Sequence, residues 1–154
     1  MTTIYPKKII LKGDPIYKEL PLNEGGACGK NIMPGMLCER SLTNTVAPHA
    51  TKAGQASPLF AIENAIFEGR DIDTEYDETS EAVLLAYCRP GDEVYGWLAA
   101  DTGNDTTGAG VLLSSYGDGY LQVGSTNPVA RSLEDVDNDP GTDGAAVRIR
   151  VEVL

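Results

Sequence analysis

His49 is the only histidine of this 154-residue chain, and it is the first residue to consider for chemistry. A zinc site would need further histidines or paired cysteines, and the sequence contains neither a Cys-x-x-Cys nor a His-x-x-x-His pair. No local motif supports a nucleophile pair of His49 with Cys38 or Cys88. We therefore expect no enzyme, no metal and no cofactor, with His49 in a loop or an edge strand. A polar pocket that holds His49 beside a carboxylate would instead favour an enzyme.

An acidic segment near the end of the chain has part of the pattern of a calcium loop. Asp135, Asp137 and Asp139 have the spacing of its first ligands, but Pro140 and Ala146 stand where that loop needs glycine and glutamate. A solvated turn is the expected structure. The alternative is a looser cation site, which would use four carboxylates: Asp135, Asp137, Asp139 and Asp143.

A second acidic cluster lies within residues 69–81. Its members are Asp71, Asp73, Glu75, Asp77, Glu78 and Glu81. Paired carboxylates carry out glycoside hydrolysis. Glycosidases also need aromatic platforms in a cleft, and this chain has one tryptophan and two phenylalanines. We therefore expect this cluster to be an acidic loop.

The formal net charge of −11 restricts the classes of partner. Such a surface repels phosphate backbones and anionic lipids, which argues against nucleic acid and membranes and suits a basic or mixed-charge partner. No apolar run approaches the roughly 20 residues of a membrane helix. The first residues do not form a secretory signal, so we expect synthesis in the cytoplasm. The three widely spaced cysteines are typical of free thiols.

The elements that must position these residues are short strands separated by tight turns. In residues 111–123, two apolar-rich arms flank Gly117-Asp118-Gly119, which tolerates the positive φ values of a tight hairpin turn. Further strands are predicted for residues 36–40, 45–50, 82–88, 93–99 and 146–154. This pattern predicts an all-β fold, a small β-barrel or sandwich formed by a single domain over residues 25–154.

Two segments fit either a helix or a strand. Residues 59–67 have apolar positions at helical spacing, but their β-branched and aromatic content and the proline and glycine on either side favour a strand. In residues 129–136, Val129, Leu133 and Val136 fit one face of a helix. For this second segment, both structures stay open on the residue pattern alone.

Residues 1–24 differ from the rest and are predicted to form an extended N-terminal arm. Prolines 6, 15 and 21 argue against a central strand, because proline lacks the backbone N–H. Four of the chain's 12 basic residues are here, and this asymmetry indicates that the arm meets a different surface. The arm would lie on its own barrel or on a neighbouring molecule. The candidate binding residues are Ile4, Tyr5, Lys7, Lys8, Ile9, Ile10, Leu11, Ile16 and Tyr17.

Four motifs follow one another in the later part of the chain. They are an Arg-Pro-Gly-Asp turn at 89–92, a Leu-x-Ser-x-Gly-Asp-Gly hairpin at 113–119, an Ala-x-x-Leu-Glu segment at 130–134 and a final alternating strand at 148–153. In this order and spacing they resemble the capsid decoration (cement) proteins of tailed bacteriophages. The likeness covers residues 58–154. The N-terminal third carries no motif of that family.

The resemblance implies a small β-barrel that adds to the outside of an assembled phage head, often as trimers at local three-fold positions. It implies no active site, and it favours a strand over a helix for residues 129–136. The assignment of the N-terminal arm to capsid binding does not come from the resemblance. It depends on the physical argument that an extended arm can add strands to a neighbour's sheet edge.

We therefore expect a structural virion protein on the capsid exterior, made in the host cytoplasm. Its partners would be the phage major capsid protein and further copies of itself in a trimer, with no nucleic acid and no membrane. The alternative is a fibre or tail-tip binding module that recognises a host-surface glycan. That function would need exposed tryptophan or tyrosine pairs in a groove, and Trp97 is the only tryptophan.

Overall fold

The computed structural model describes residues 6–22, 31–41, 43–64, 71–77, 82–101, 103–108, 110–138 and 145–154. These residues contain strands, turns and bends but no helix, so the all-β prediction is confirmed. The strands are β1 (Ile10–Lys12), β2 (Ile16–Leu20), β3 (Cys38–Arg40), β4 (Val46–Pro48), β5 (Leu59–Ala61), β6 (Val83–Tyr87), β7 (Glu93–Leu98), β8 (Leu112–Gly117), β9 (Tyr120–Val123), β10 (Ala130–Ser132) and β11 (Val147–Val153).

Five strands form a closed ring of pairings. The order is β7-β11-β10-β8-β9, and β9 returns to β7 as a parallel neighbour, with Leu98 opposite Leu121. The other pairings in the ring are antiparallel. Along β11, Ile149 and Val151 are fully buried while Arg150 is exposed, as the alternation of the sequence predicts. The ring is compatible with the predicted small barrel.

The predicted hairpin joins β8 to β9. Gly117 pairs with Tyr120, so the turn has two central residues, Asp118 and Gly119. Their φ angles are 55° and 83°, which is the backbone conformation that the Asp-Gly sequence favours in tight hairpins. Gly119 also lies against the side chain of Met36, which places the turn on the segment that precedes β3.

Two smaller sheets complete the described fold. One has the order β2-β6-β5, and β6 is its central strand, as the unbroken apolar run of residues 82–88 indicates. The other pairs β3 with β4, which contains Pro48. A second buried cluster lies among these strands and includes Leu20, Ile32, Val46, Tyr76 and Leu85.

The two ambiguous segments both contain strands. Leu59–Ala61 forms β5, while residues 65–67 of the same apolar run lie outside the described residues. Ala130–Ser132 forms β10, so a helix over 129–136 is wrong. Ala130 is opposite Leu113 on one side and Val153 on the other, and strand pairing on both sides outweighs the helical spacing of three apolar residues.

The described part of the N-terminal segment lies on the chain's own sheets. β1 pairs with β7, and β2 pairs with β6. Both strands stand at the edge of their sheets, in agreement with the argument from the prolines. Ile9 is fully buried in the same core as Val94 and Val151, so it contributes to the fold itself.

The Arg-Pro-Gly-Asp turn joins β6 to β7 and also fixes the start of the chain. Asp92 is buried, and its carboxylate accepts hydrogen bonds from Arg89 N–H at 2.8 Å and from Asp14 N–H at 3.3 Å. A Cβ atom on Gly13 would lie 2.0 Å from the Asp92 carboxylate oxygen. Asp92 therefore links this turn to the junction between β1 and β2.

Candidate functional site

The sequence-predicted histidine lies in a small polar cleft of about 210 Å³. His49 follows β4 directly, Glu39 belongs to β3, and the loop of residues 55–57 forms a further wall. Arg40 of β3, Leu59 of β5 and Tyr87 of β6 also line the cleft. The pairing of β3 with β4 brings Glu39 close to His49, with 3.9 Å between Oε2 and Nε2. The cleft thus combines a histidine with a carboxylate.

Both nitrogen atoms of the His49 ring have hydrogen-bond partners. Nε2 lies 2.9 Å from the backbone oxygen of Gln55, which can only accept, so Nε2 carries a proton. Nδ1 lies 2.6 Å from Ser115 Oγ, and in a neutral ring it accepts the hydroxyl proton. Ser115 Oγ also accepts a hydrogen bond from Gly117 N–H at 3.2 Å. His49 therefore connects β8 to the loop after β4.

This arrangement differs from that of an activated serine. Ser115 is fully buried, so its hydroxyl has no surface from which a substrate could approach. His49 is 3% exposed, and general base chemistry there would first require breaking one of its two hydrogen bonds. The geometry supports a structural role for this pair.

We expect Ser115→Ala to lower the free energy of unfolding by about 2 kcal/mol, because it leaves the buried His49 Nδ1 without its hydrogen-bond partner. The measurement is urea denaturation followed by tryptophan fluorescence. Ser57→Ala is the matched control, since Ser57 lines the same cleft but is exposed, and its expected effect is within 0.5 kcal/mol or so. Equal effects of the two substitutions would contradict the structural role of the pair.

The described cysteines are not activated nucleophiles. Cys38 and Cys88 are both free and buried. Burial raises the pKa of the Cys38 thiol to about 12, and burial together with the charge of Asp92 raises the pKa of the Cys88 thiol to about 12. Both groups stay protonated near neutral pH, whereas a reactive cysteine needs a lowered pKa. Cys28 lies outside the described residues.

The single tryptophan is held from several sides. Trp97 Nε1–H donates to Pro34 O at 2.9 Å, and the Arg148 guanidinium lies 4.4 Å from the centre of the indole ring. The ring of Tyr120 is tilted against it, with 6.4 Å between the ring centroids. Arg148 therefore covers one face of the indole ring, which a glycan would need as a stacking platform.

The Asp135 carboxylate of the predicted calcium-like segment binds a backbone group, since its Oδ1 accepts a hydrogen bond from Gly108 N–H at 2.9 Å. The backbone of Asp137 forms an isolated antiparallel β-bridge with the backbone of Asp105. Hydrogen bonds from the Thr107 side chain and backbone lower the pKa of Asp105. Asp139 and Asp143 lie outside the described residues, so the four-carboxylate site is a prediction without a test.

The second acidic cluster is also engaged in local contacts. Asp71 Oδ1 accepts from Asp73 N–H and from the Thr74 hydroxyl, and Asp73 forms an ion pair with Arg148 at 2.8 Å. The Asn31 amide donates to Glu75 at 3.1 Å. Glu78 and Glu81 lie outside the described residues. Nowhere in the described ranges do three or more histidine, cysteine, aspartate or glutamate residues form a group that could hold a metal ion.

The candidate binding residues of the N-terminal segment have different positions. Ile9 is buried in the core, Ile10 and Leu11 are half-buried, and Lys7 and Lys8 are exposed. Ile16 and Tyr17, on β2, are 51% and 55% exposed. Ile4 and Tyr5 lie outside the described residues. The sequence did not distinguish these positions, because all are apolar or basic and the inward face of a short strand depends on its partner.

β2 is the most exposed of the strands. Its first four residues are exposed on both faces, and only Leu20 is buried. Ile16 and Tyr17 are apolar side chains on a strand whose one neighbour in its sheet, among the strands that the structure describes, is β6. An apolar edge strand in water is a place where another chain can bind.

The part of the chain that the structure describes has no helix long and apolar enough to span a membrane. Neither the models of known protein families nor the curated proteins give a match to this chain.

Proposed function

We propose that this chain is a structural virion protein that binds the outer surface of an assembled phage capsid and stabilises it. Its partners would be the major capsid protein and, on the capsid, further copies of the chain in a trimer. It would be made in the host cytoplasm and end on the exterior of the virion.

The observation that carries this proposal is where the resembling motifs lie in the fold. The hairpin forms β8 and β9, the Ala-x-x-Leu-Glu segment contains β10, and the alternating strand is β11. The Arg-Pro-Gly-Asp turn leads into β7. These are the five strands of the closed ring, so the motifs that resemble decoration proteins occupy one continuous structural unit.

The state of the chemically versatile residues is consistent with the proposal. His49 and Ser115 are bonded to each other inside the fold, the two described cysteines have raised pKa values, and Trp97 is covered by Arg148. We therefore assign the proposed function to the outer surface of the protein. The covered ring of Trp97 also gives no support to the glycan-binding alternative among the described residues.

The charge and the mode of action fit each other. A net charge of −11 keeps free copies apart in solution. A protein that binds only the assembled lattice stabilises it by mass action, and contacts shared among several capsid subunits reinforce one another through effective concentration.

The first step of the test is mass spectrometry of purified virions, which is expected to identify a phage that contains this chain. Heads assembled without the chain are mixed with purified protein and sedimented, and the unfolding temperature of the heads is measured. We expect saturable co-sedimentation and a higher unfolding temperature of the heads. Absence of the chain from every purified virion, or no co-sedimentation with undecorated heads, would refute the proposal. A variant that lacks residues 2–20 would not test the role of the N-terminal segment in capsid binding, because the deletion also removes β1, β2 and the buried Ile9 from the fold.

A further inference from the structure

No other strand of the described residues pairs with the outer edge of β2, and the pairing of its neighbour β6 shows which residues form this edge. Ile62 N–H donates to Leu84 O, and Cys88 N–H donates to Pro58 O, so the even-numbered residues of β6 direct their backbone groups towards β5. The odd-numbered residues of β6 therefore face β2. Because opposite residues in an antiparallel pair exchange both hydrogen bonds or none, this assignment extends to β2.

Ile16, Lys18 and Leu20 stand opposite odd-numbered residues of β6 and bond to them. Tyr17 and Glu19 direct their backbone N–H and C=O groups away from β6. No hydrogen bond within the described residues uses these four groups, although the next outward carbonyl, that of Pro21, accepts from Val46 N–H at 2.9 Å. The free part of the edge is thus one strand segment with Tyr17 and Glu19 at alternate positions.

We propose that β2 accepts an extended segment of a different protein as an added antiparallel strand, with an apolar residue opposite Tyr17 and a lysine or arginine opposite Glu19. Alternating donor and acceptor pairs along a strand fit an extended polypeptide. Besides these backbone groups, the edge presents apolar side chains, since Ile16 and Tyr17 are each about half exposed. This inference depends on the geometry of β2 and not on the proposed function.

A basic residue is favoured by the charges around this edge. The pKa of the Tyr17 phenol is raised first by partial burial, and then by Asp14, Cys88, Glu63 and Asp92, three of which are carboxylates. Glu19 itself is exposed. Charged residues directly opposite each other on paired strands contribute when their signs differ.

A second copy of this chain is a poor occupant of the same edge. In a two-fold antiparallel pair, an outward residue must stand opposite another outward residue, which leaves three alignments. Tyr17 opposite Tyr17 places Glu19 opposite Pro15, which has no N–H. Tyr17 opposite Glu19 brings Lys18 against Lys18, and Glu19 opposite Glu19 brings two carboxylates together. Each alignment loses hydrogen bonds or opposes like charges.

The test is a titration of the isotope-labelled protein with the blocked peptide Ac-Thr-Arg-Thr-Val-Thr-NH2, followed by amide NMR. Binding should shift the Tyr17 and Glu19 amide signals and slow their hydrogen exchange, while the Lys18 amide, already bonded to β6, exchanges as before. Tyr17→Pro removes an outward N–H without removing a bond to β6, so it should weaken peptide binding at least tenfold and keep the fold. Tyr17→Thr keeps the N–H and is the matched control.

Two results would overturn the inference. One is a peptide titration to millimolar concentration that leaves the Tyr17 and Glu19 amides unchanged. The other is a shift of these amides with protein concentration alone, which would make a second copy the occupant. Binding of the same Tyr17→Pro variant to phage heads is measured in a separate experiment. The result with heads tests the proposed function, and the peptide titration tests the binding edge of β2 independently of it.

Discussion

Replacing Arg148 with alanine is expected to lower the free energy of unfolding by about 3 kcal/mol. The Arg148 side chain is 8% exposed, and its guanidinium donates to the backbone oxygens of Pro34 and Ile72 and to the Asp73 carboxylate. It also stacks on Trp97. The substitution removes these contacts together and leaves the Ile72 carbonyl without this donor, while Pro34 O keeps the hydrogen bond from Trp97 Nε1–H. Arg148 thereby holds residues 31–37 and 71–77 against the ring.

The chain offers a control on the same strand. Arg150 lies two positions further along β11, is 50% exposed and forms an ion pair with Glu134 at 3.4 Å. Arg150→Ala should cost less than about 1 kcal/mol, because exposed ion pairs contribute little. Arg148→Lys should not restore stability, since an ammonium group cannot supply a planar fork of donors. Urea denaturation measures all three, and similar losses for Arg148→Ala and Arg150→Ala would contradict this account.

Replacing Gly35 with alanine is expected to lower the free energy of unfolding by about 3 kcal/mol or more. Gly35 has a φ of 99°, and a Cβ atom there would lie 2.7 Å from the backbone oxygen of Tyr95. Neither the turn nor the central strand β7 can move away easily. Gly35 N–H also donates to Ala61 O at 2.7 Å, so a displaced turn would strain the contact with β5.

Gly91 separates backbone strain from steric overlap. Its φ is 95°, close to that of Gly35, but an added Cβ would meet nothing within 4 Å. Gly91→Ala should therefore show the conformational cost alone, about 1 kcal/mol. Thermal unfolding by circular dichroism compares the two variants. A Gly91 variant as unstable as the Gly35 variant would show that overlap with Tyr95 is not the cause.

Much of the fold followed from residue patterns. The Asp118-Gly119 turn, the alternation of residues 146–154 and the apolar run of residues 82–88 each predicted a strand or hairpin that the structure contains. These signals are local, because turn conformation and one-sided burial depend on residues that are neighbours in the sequence. The helical spacing in residues 129–136 was misleading, since β10 is defined by partners on both sides.

The candidate site was less predictable, because it depends on contacts between distant residues. Nothing near His49 in the sequence indicates Ser115 as its hydrogen-bond partner, or Gln55 as the second. Likewise, the apolar residues Ile9 and Ile16 look equivalent in the sequence. One is fully buried and the other is 51% exposed, since β1 joins the ring sheet while β2 ends a separate sheet. The alternating charges of β11 did not reveal that the Arg148 side chain is mostly covered and that of Arg150 is half exposed.

The place of β7 in the ring sets how quickly this chain can reach its native state. Val94 is opposite both Ile10 and Val151, so residues from near both ends of the sequence must meet at one strand before its pairing is complete. Such distant pairings require large loops to close first, and β proteins of this kind refold in milliseconds to seconds, as a rule of thumb. During that interval the apolar strands are unpaired and prone to aggregate. Refolding yield should therefore fall as protein concentration rises.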